Sequence, residues 1–176
     1  MDQSINDDGN WIRNSGRTNS YRTGPSKDHT LGTPQGHYVY LEATHGFGWD
    51  VKYTVRMLTP TIRSSNQVRD RCLVFWYHMY GQHIVSLNIY LSPNGETTET
   101  EVFTKTGGGV NVWKTGHVTI TETLNFKIIL EASSAGYRGD IAVDDISISL
   151  QKCAIAYDQS HHSPTGFTLT WSIARR

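Results

Sequence analysis

Apolar residues recur at every second position in this chain, and that alternation limits its fold more than any other feature. Val51, Tyr53, Val55 and Met57 alternate with Lys52, Thr54 and Arg56. Val85, Leu87, Ile89 and Leu91 alternate with Ser86, Asn88 and Tyr90, and Phe126, Ile128 and Leu130 with Lys127 and Glu131. Successive strand side chains point to opposite faces, so each run describes a strand with one face buried. Tyr38, Tyr40 and Glu42 interleave with Val39, Leu41 and Ala43, and residues 141–148 read as a further strand. Residues 73–79 (Leu-Val-Phe-Trp-Tyr-His-Met) are apolar on both faces, as a central strand is. Turn signals separate the runs at Thr59-Pro60, Ser92-Pro93-Asn94-Gly95, Gly107-Gly108-Gly109 and Ser133-Ser134-Ala135-Gly136. Asn94-Gly95 is the sharpest hairpin signal among them. About ten short strands with turns between them predict an all-β, antiparallel sandwich.

Composition narrows the function classes. A length of 176 residues suits one domain, or one domain with a tail. Lys+Arg and Asp+Glu are both 16, so the formal net charge is zero. A neutral chain without a basic block lacks the cation surplus that non-specific nucleic-acid binding needs. It also lacks a polybasic run for an anionic membrane surface. The apolar runs are far too short for a membrane-crossing helix, so no direct membrane insertion is expected. Aromatic residues make up 11% of the chain, which argues for a folded core rather than disorder. No secretory leader is visible at the start, so an extracellular domain of this sequence is expected to be a fragment of a longer protein.

The two ends differ from the middle. Residues 1–36 are polar, with Trp11 as the one large anchor, and are expected to lie as irregular chain on the sandwich with at most a short strand. After Cys153 comes a polar stretch, residues 157–164. Phe167, Leu169, Trp171 and Ile173 then alternate with Thr168, Thr170 and Ser172. That pattern fits an extra edge strand, the start of a following domain, or a stretch truncated by the chain end. The expected division is a β-sandwich over 1–153 and a tail over 154–176. Cys72 and Cys153 are the only cysteines, and their number alone fits free thiols as well as a bridge.

Several blocks, in order, resemble the MAM domain, the module shared by meprins, neuropilins and receptor-type tyrosine phosphatases. They are Gly24-Pro-Ser-Lys-Asp-His-Thr30, Gly36-His-Tyr-Val-Tyr40, Leu58-Thr-Pro60, the run from Cys72 to Gly81, Trp113, Phe126-Lys-Ile-Ile-Leu-Glu-Ala132, and Gly136-Tyr-Arg-Gly-Asp-Ile-Ala-Val-Asp-Asp-Ile146, with Cys153 closing the series. The resemblance covers roughly residues 7–153. It implies a jelly-roll-like sandwich of two antiparallel sheets, an extracellular or cell-surface setting, and a role in adhesion or protein–protein contact. It also implies a Cys72–Cys153 disulfide, the second of the family's two pairs. The first pair lies in an N-terminal Cys-x-Phe-Glu…Cys segment that this sequence lacks. An N-terminally incomplete domain with an unpaired sheet edge is therefore expected.

Candidate chemistry is sparse. If Ala142, Ile146 and Ile148 face the core, Asp144 points inward and Asp145 outward. An inward carboxylate must be hydrogen-bonded, paired or metal-bound. Some MAM domains carry a cation site built from such acids, which makes Asp28 and Asp144 candidate ligands for Ca²⁺ or another cation. Hydrogen bonding to backbone amides is the commoner role for such residues. Glu131 with Asp144 could be imagined as a hydrolytic pair, but strand carboxylates are more often structural. None of the common nucleophile, zinc-protease or phosphate-loop motifs occurs. His161-His162 stands alone in a polar tail, and His78 is expected to be packed and hydrogen-bonded. Trp49, Trp76 and Trp113 are expected in the core, and Trp11 as a clasp for the N-terminal segment.

These readings point to a non-catalytic recognition module. Its partner is expected to be another protein or a second copy of the module, with Tyr21, Tyr80 and Tyr90 as generic contact candidates. The alternative is a carbohydrate-binding module on the same kind of jelly roll, which would show a planar row of exposed aromatics on one sheet. A smooth, mixed polar face would favour protein contact.

Overall fold

The computed structural model describes residues 1–20, 22–43, 51–64, 70–93 and 98–154, together with the backbone of 168–171. Tyr21, Trp49, Asn94-Gly95, residues 157–164 and His161-His162 lie outside the described residues. The strands are β1 (Asp2–Gln3), β2 (Ile12–Ser15), β3 (His37–Leu41), β4 (Tyr53–Leu58), β5 (Arg71–Gly81), β6 (Ile84–Pro93), β7 (Thr100–Thr106), β8 (Lys114–Ile120), β9 (Phe126–Ser134), β10 (Gly139–Ser149) and β11 (Thr168–Trp171). They form two antiparallel sheets, a jelly-roll-like sandwich. One has the order β1-β4-β9-β6-β7; the other has the order β2-β3-β10-β5-β8, with β11 beside β10.

Alternation decides which side chains fill the space between the sheets. Leu73, Phe75, Tyr77 and Met79 of β5 share one core with Ile128, Leu130 and Ala132 of β9 and with Leu87, Ile89 and Leu91 of β6. Fully burying a side chain of this size stabilises the fold by about 1.5–3 kcal/mol. Strand β5 is internal, paired to β10 on one side and β8 on the other. Its outward face is covered as well, by His29 on Trp76, so its apolar character extends to both faces. Strand β7 is an edge strand of mostly exposed residues and lacks the apolar alternation that marks the others.

Strand β10 breaks the alternation. Its register against β5 shifts between Asp144 and Ser147, and Asp145 has a positive φ of 48°. Two residues there oppose one on β5, which is a β-bulge. Ile141 and Val143 face the inter-sheet core before the bulge, and Ile146 and Ile148 face it after. Ala142 packs instead with Tyr38 and Tyr40 on the outer side of the sheet. The expectation that Ala142, Asp144, Ile146 and Ile148 share the inner face is therefore corrected. Asp144 is buried, but beneath a covering loop on the outside of the sheet.

The N-terminal segment carries two short strands rather than one. Trp11 is its anchor, 3% exposed, with its indole N–H donating to the Leu130 carbonyl at 3.3 Å. The Gln3 side-chain amide bonds the Trp11 backbone through both its groups, each at 3.0 Å. At the other end, β11 pairs with Ile146–Ser149 of β10. Strand β3 pairs with residues 141–143 of β10, so β11 continues along the same strand past the bulge.

Cys72 on β5 is bonded to Cys153 with a Cα–Cα distance of 4.7 Å, across a sequence separation of 81. Replacing both by Ser is expected to lower the unfolding free energy by about 2–4 kcal/mol, because a long loop is released in the unfolded chain. Urea unfolding of the double variant beside the parent chain measures it. Coincident curves would refute this role.

Candidate functional site

The outer faces of the two sheets differ, and neither carries a row of free aromatics among the described residues. The five-stranded sheet presents a hydrogen-bonded polar net. Arg56 on β4 donates from Nε to Glu131 at 2.7 Å and from Nη2 to Glu99 at 2.7 Å. Glu131 on β9 also accepts from the Asn88 amide at 3.0 Å and the Tyr90 hydroxyl at 3.3 Å. Thr104 donates to Asn88 at 2.8 Å, and Thr54 and Ser133 hydroxyls meet at 3.0 Å. The Arg56 guanidinium lies 5.3 Å from the centre of the Tyr90 ring. Burial acts to lower the Arg56 pKa, but the hydrogen bonds and charges of Glu99 and Glu131 win and raise it. These residues sit on one face because their strand neighbours Val55, Leu87, Ile89, Leu130 and Ala132 fill the core.

The outer face of the six-stranded sheet is roofed by the N-terminal segment. Phe75 and Tyr77 point into the core, so Trp76 and His78 point out. Trp76 stacks on His29 with ring centres 3.6 Å apart, and Trp113 donates its indole N–H to the Lys27 carbonyl at 3.0 Å. Trp76 and Trp113 therefore lie outside the inter-sheet core, a correction that follows from strand parity for Trp76 and from packing against Tyr38 and Tyr40 under the roof for Trp113. Tyr38 and Tyr40 lie under the same roof, and burial pushes the Tyr38 hydroxyl up to about 12. His78 is 2% exposed, 2.8 Å from the Asn111 side chain, and burial lowers its pKa.

Carboxylates fasten the roof to the sheet. Asp144 accepts the backbone N–H of His29 at 2.9 Å and of Asp145 at 2.9 Å. Asp145 meets the His29 ring at 2.7 Å and the Thr30 hydroxyl at 2.5 Å. The bulge thus lets both neighbouring acids reach one loop. Asp28 accepts the amides of Leu31 at 2.8 Å and Thr33 at 3.0 Å, and a Cβ on Gly36 would land on its carboxyl group. Asp140 accepts the Thr23 hydroxyl at 2.8 Å, and Glu42 accepts Ser20 and Tyr40 hydroxyls. Burial raises the Asp140 and Asp144 pKa values above the ordinary carboxyl value, with the Glu42 and Asp145 charges adding to each respectively. Among the described residues no three His, Cys, Asp or Glu side chains are gathered as metal ligands are. Glu131 and Asp144 lie on the outer faces of opposite sheets, so they cannot flank one cleft.

Of the generic contact candidates, Tyr90 is half-buried beneath Arg56, and Tyr80 borders an open groove at the end of β5. The Arg56–Glu131–Asn88 net escaped the sequence reading. Its only signal was a run of polar residues on the outward side of β4, β6 and β9.

The family model "MAM domain, meprin/A5/mu" matches residues 1–154. The chain belongs to the MAM domain family. It is 35% identical over 157 residues to MAM domain-containing glycosylphosphatidylinositol anchor protein 1 of Rattus norvegicus, covering 86% of this chain and 16% of that protein. Anchor protein 2 of Mus musculus is 35% identical over 164 residues, covering 86% and 17%. This MAM chain thus spans about one-sixth of the relatives' length. Among solved structures, the K1 cleaved adhesin domain of Lys-gingipain from Porphyromonas gingivalis W83 shares the fold. Its TM-score is 0.57 at 14% identity, covering 85% of this chain and 88% of that one.

Burial in the MAM sandwich lowers the His78 pKa, and this has a pH signature. A histidine whose folded pKa is depressed supports stability above its unfolded value, near 6.5, and loses that support as pH falls through the folded value. Thermal melts are expected to show a smaller loss of stability below about pH 6.5 for His78→Gln than for the parent chain. Parallel pH profiles would remove His78 from the account.

Proposed function

We propose that this MAM domain is a non-catalytic, extracellular recognition module, part of a longer cell-surface protein, which grips a protein partner through the outer face of its five-stranded sheet. The observation that carries this reading is the fixed, mixed polar face around Arg56, Glu131, Asn88 and Tyr90. Preorganised Arg and Tyr side chains within a polar rim suit protein contact. A sugar platform would instead need a bare aromatic row, and Trp76 and Trp113 are engaged by the loop above them. The extracellular setting is supported by the disulfide, which persists in oxidising compartments. It is also supported by relatives named for a glycosylphosphatidylinositol anchor. Among the described residues no helix is long and apolar enough to cross a membrane.

The test is binding of the labelled chain to intact cells. A component of the binding is expected to remain after enzymatic glycan removal and to be lost after surface proteolysis. Thr106→Arg or Glu101→Arg, exposed on the same sheet, should reduce it at least about tenfold while leaving the melting temperature unchanged. Binding that ignores both variants, or that follows the glycans alone, would overturn the reading.

Asp28 and Asp144 are read here as amide anchors of the roof loop. All four of their carboxylate oxygens accept backbone N–H groups, whereas Ca²⁺ asks for six to eight free oxygen ligands. Melting curves in millimolar Ca²⁺ and in chelator are expected to coincide. A Ca²⁺-dependent rise in melting temperature would restore the cation assignment.

A further inference from the structure

At the end of the six-stranded sheet where β5 finishes and β10 begins, an open groove runs between the roof segment and the loops beyond the strands. It consists of two adjoining hollows of about 900 and about 550 Å³, which share Asn19, Ser20, Arg22, Thr23 and Tyr80. In a chain of zero net charge its lining, among the described residues, is one-sided. Of these, Arg17, Arg22 and Arg138 border it, all exposed, and no Asp or Glu does. Asp140 and Glu42 stand behind the wall, turned onto Thr23, Ser20 and Tyr40.

The backbone is specialised at the same place. Arg22 has a φ of 58°, a left-handed conformation that costs a non-glycine residue energy and clusters at ligand sites. Two aromatic rings lie along the groove, Tyr80 and Tyr137. Tyr137 is braced by the His83 ring, edge-on at 5.5 Å, and by the Arg138 guanidinium at 5.4 Å from its centre.

What borders the groove also says what it does not suit. Among the described residues no Leu, Ile, Val, Met or Phe side chain lines either hollow. A peptide seated there would find no aliphatic pocket among the described residues for an anchor side chain. Beside glycines and Pro25, the uncharged lining carries amides and hydroxyls, including Asn19, Gln82 and Asn111, groups that pair with sugar hydroxyls in either direction.

We propose that this groove binds an anionic oligosaccharide, its sulfate or carboxylate groups on Arg17, Arg22 and Arg138 and a sugar ring against Tyr80 or Tyr137. The site lies at a loop end of the sandwich, shares none of the residues of the proposed protein-binding face, and stands or falls separately from it.

Calorimetric titration of the intact chain tests it, with four probes: a heparin octasaccharide, a hyaluronan octasaccharide, maltooctaose and octaglutamate. At least one of the two acidic saccharides is expected to bind. Comparing them separates sulfate from carboxylate as the recognised group. Maltooctaose is expected not to bind, and octaglutamate to bind at least about tenfold more weakly, since it offers charge without sugar hydroxyls. Arg17→Glu and Arg138→Glu should each weaken the saccharide at least about tenfold, and raising salt from about 50 to about 300 mM should weaken it in the parent chain. Melting curves check that these exposed variants fold; Arg22→Gln replaces either one that does not. Failure of both acidic saccharides to bind, affinity indifferent to the arginine variants, or octaglutamate binding as tightly as the saccharide would each overturn the proposal.

Discussion

Between the two sheets, alternate side chains of β4, β5, β6, β9 and β10 exclude water from one shared interior. Every other feature is arranged around that row. Once Leu73, Phe75, Tyr77 and Met79 face inward, Trp76 and His78 must face out. Two large, partly polar rings on an outer sheet surface then need cover. The N-terminal segment supplies it, with His29 on Trp76 and the Lys27 carbonyl on Trp113. The core thus dictates where a second layer is required, and the roof follows from strand parity.

Holding that roof down by carboxylates has a consequence. Asp140 and Asp144 are desolvated, and their pKa values are raised. A carboxylate whose folded pKa exceeds its unfolded one costs stability at neutral pH, and the cost fades as pH falls through the folded value. The hydrogen bonds offset it: Asp144 takes up the His29 amide and Asp140 the Thr23 hydroxyl, groups that burial would otherwise leave unpaired. Charge here serves to tie loop to sheet. The Asp145 bulge makes it possible, since a regular strand would turn Asp144 and Asp145 to opposite faces.

Much of this was legible from the order of residues. The alternating runs became β4, β6 and β9, and the doubly apolar run became the internal strand β5. Strand β7 was not legible, because Thr-Glu-Val-Phe-Thr-Lys-Thr at a sheet edge needs no apolar row. The bulge was not legible either. Nothing in Val-Asp-Asp-Ile announces a left-handed Asp145, and without it parity places Asp144 on the wrong side. Trp76 could have been placed correctly by applying to β5 the alternation used elsewhere; its size argued for the core and its position argued against. The Cys72–Cys153 bond was implied by family resemblance, since two cysteines carry no pairing information of their own. The Arg56–Glu131 net joins strands far apart in sequence, so no local pattern marks it.

A net charge of zero conceals a segregated surface. Glu99, Glu101 and Glu131 stand around Arg56 and Tyr90 on the five-stranded sheet, while Arg17, Arg22 and Arg138 border the groove at a loop end of the sandwich. Mixing these charges would give the sandwich similar solubility, so solubility does not require their separation. Separation does create local fields of different character on a body held rigid by its core: arginines at the groove, with the acids of that side turned onto the roof segment, and an Arg–Glu net on the five-stranded sheet. Such fields act over about 8–10 Å at physiological salt, less than the span of a domain this size, so a ligand at one face is steered by that face alone. A sandwich built this way can present two chemically distinct surfaces at once, because the core that separates them also screens neither from the water it faces.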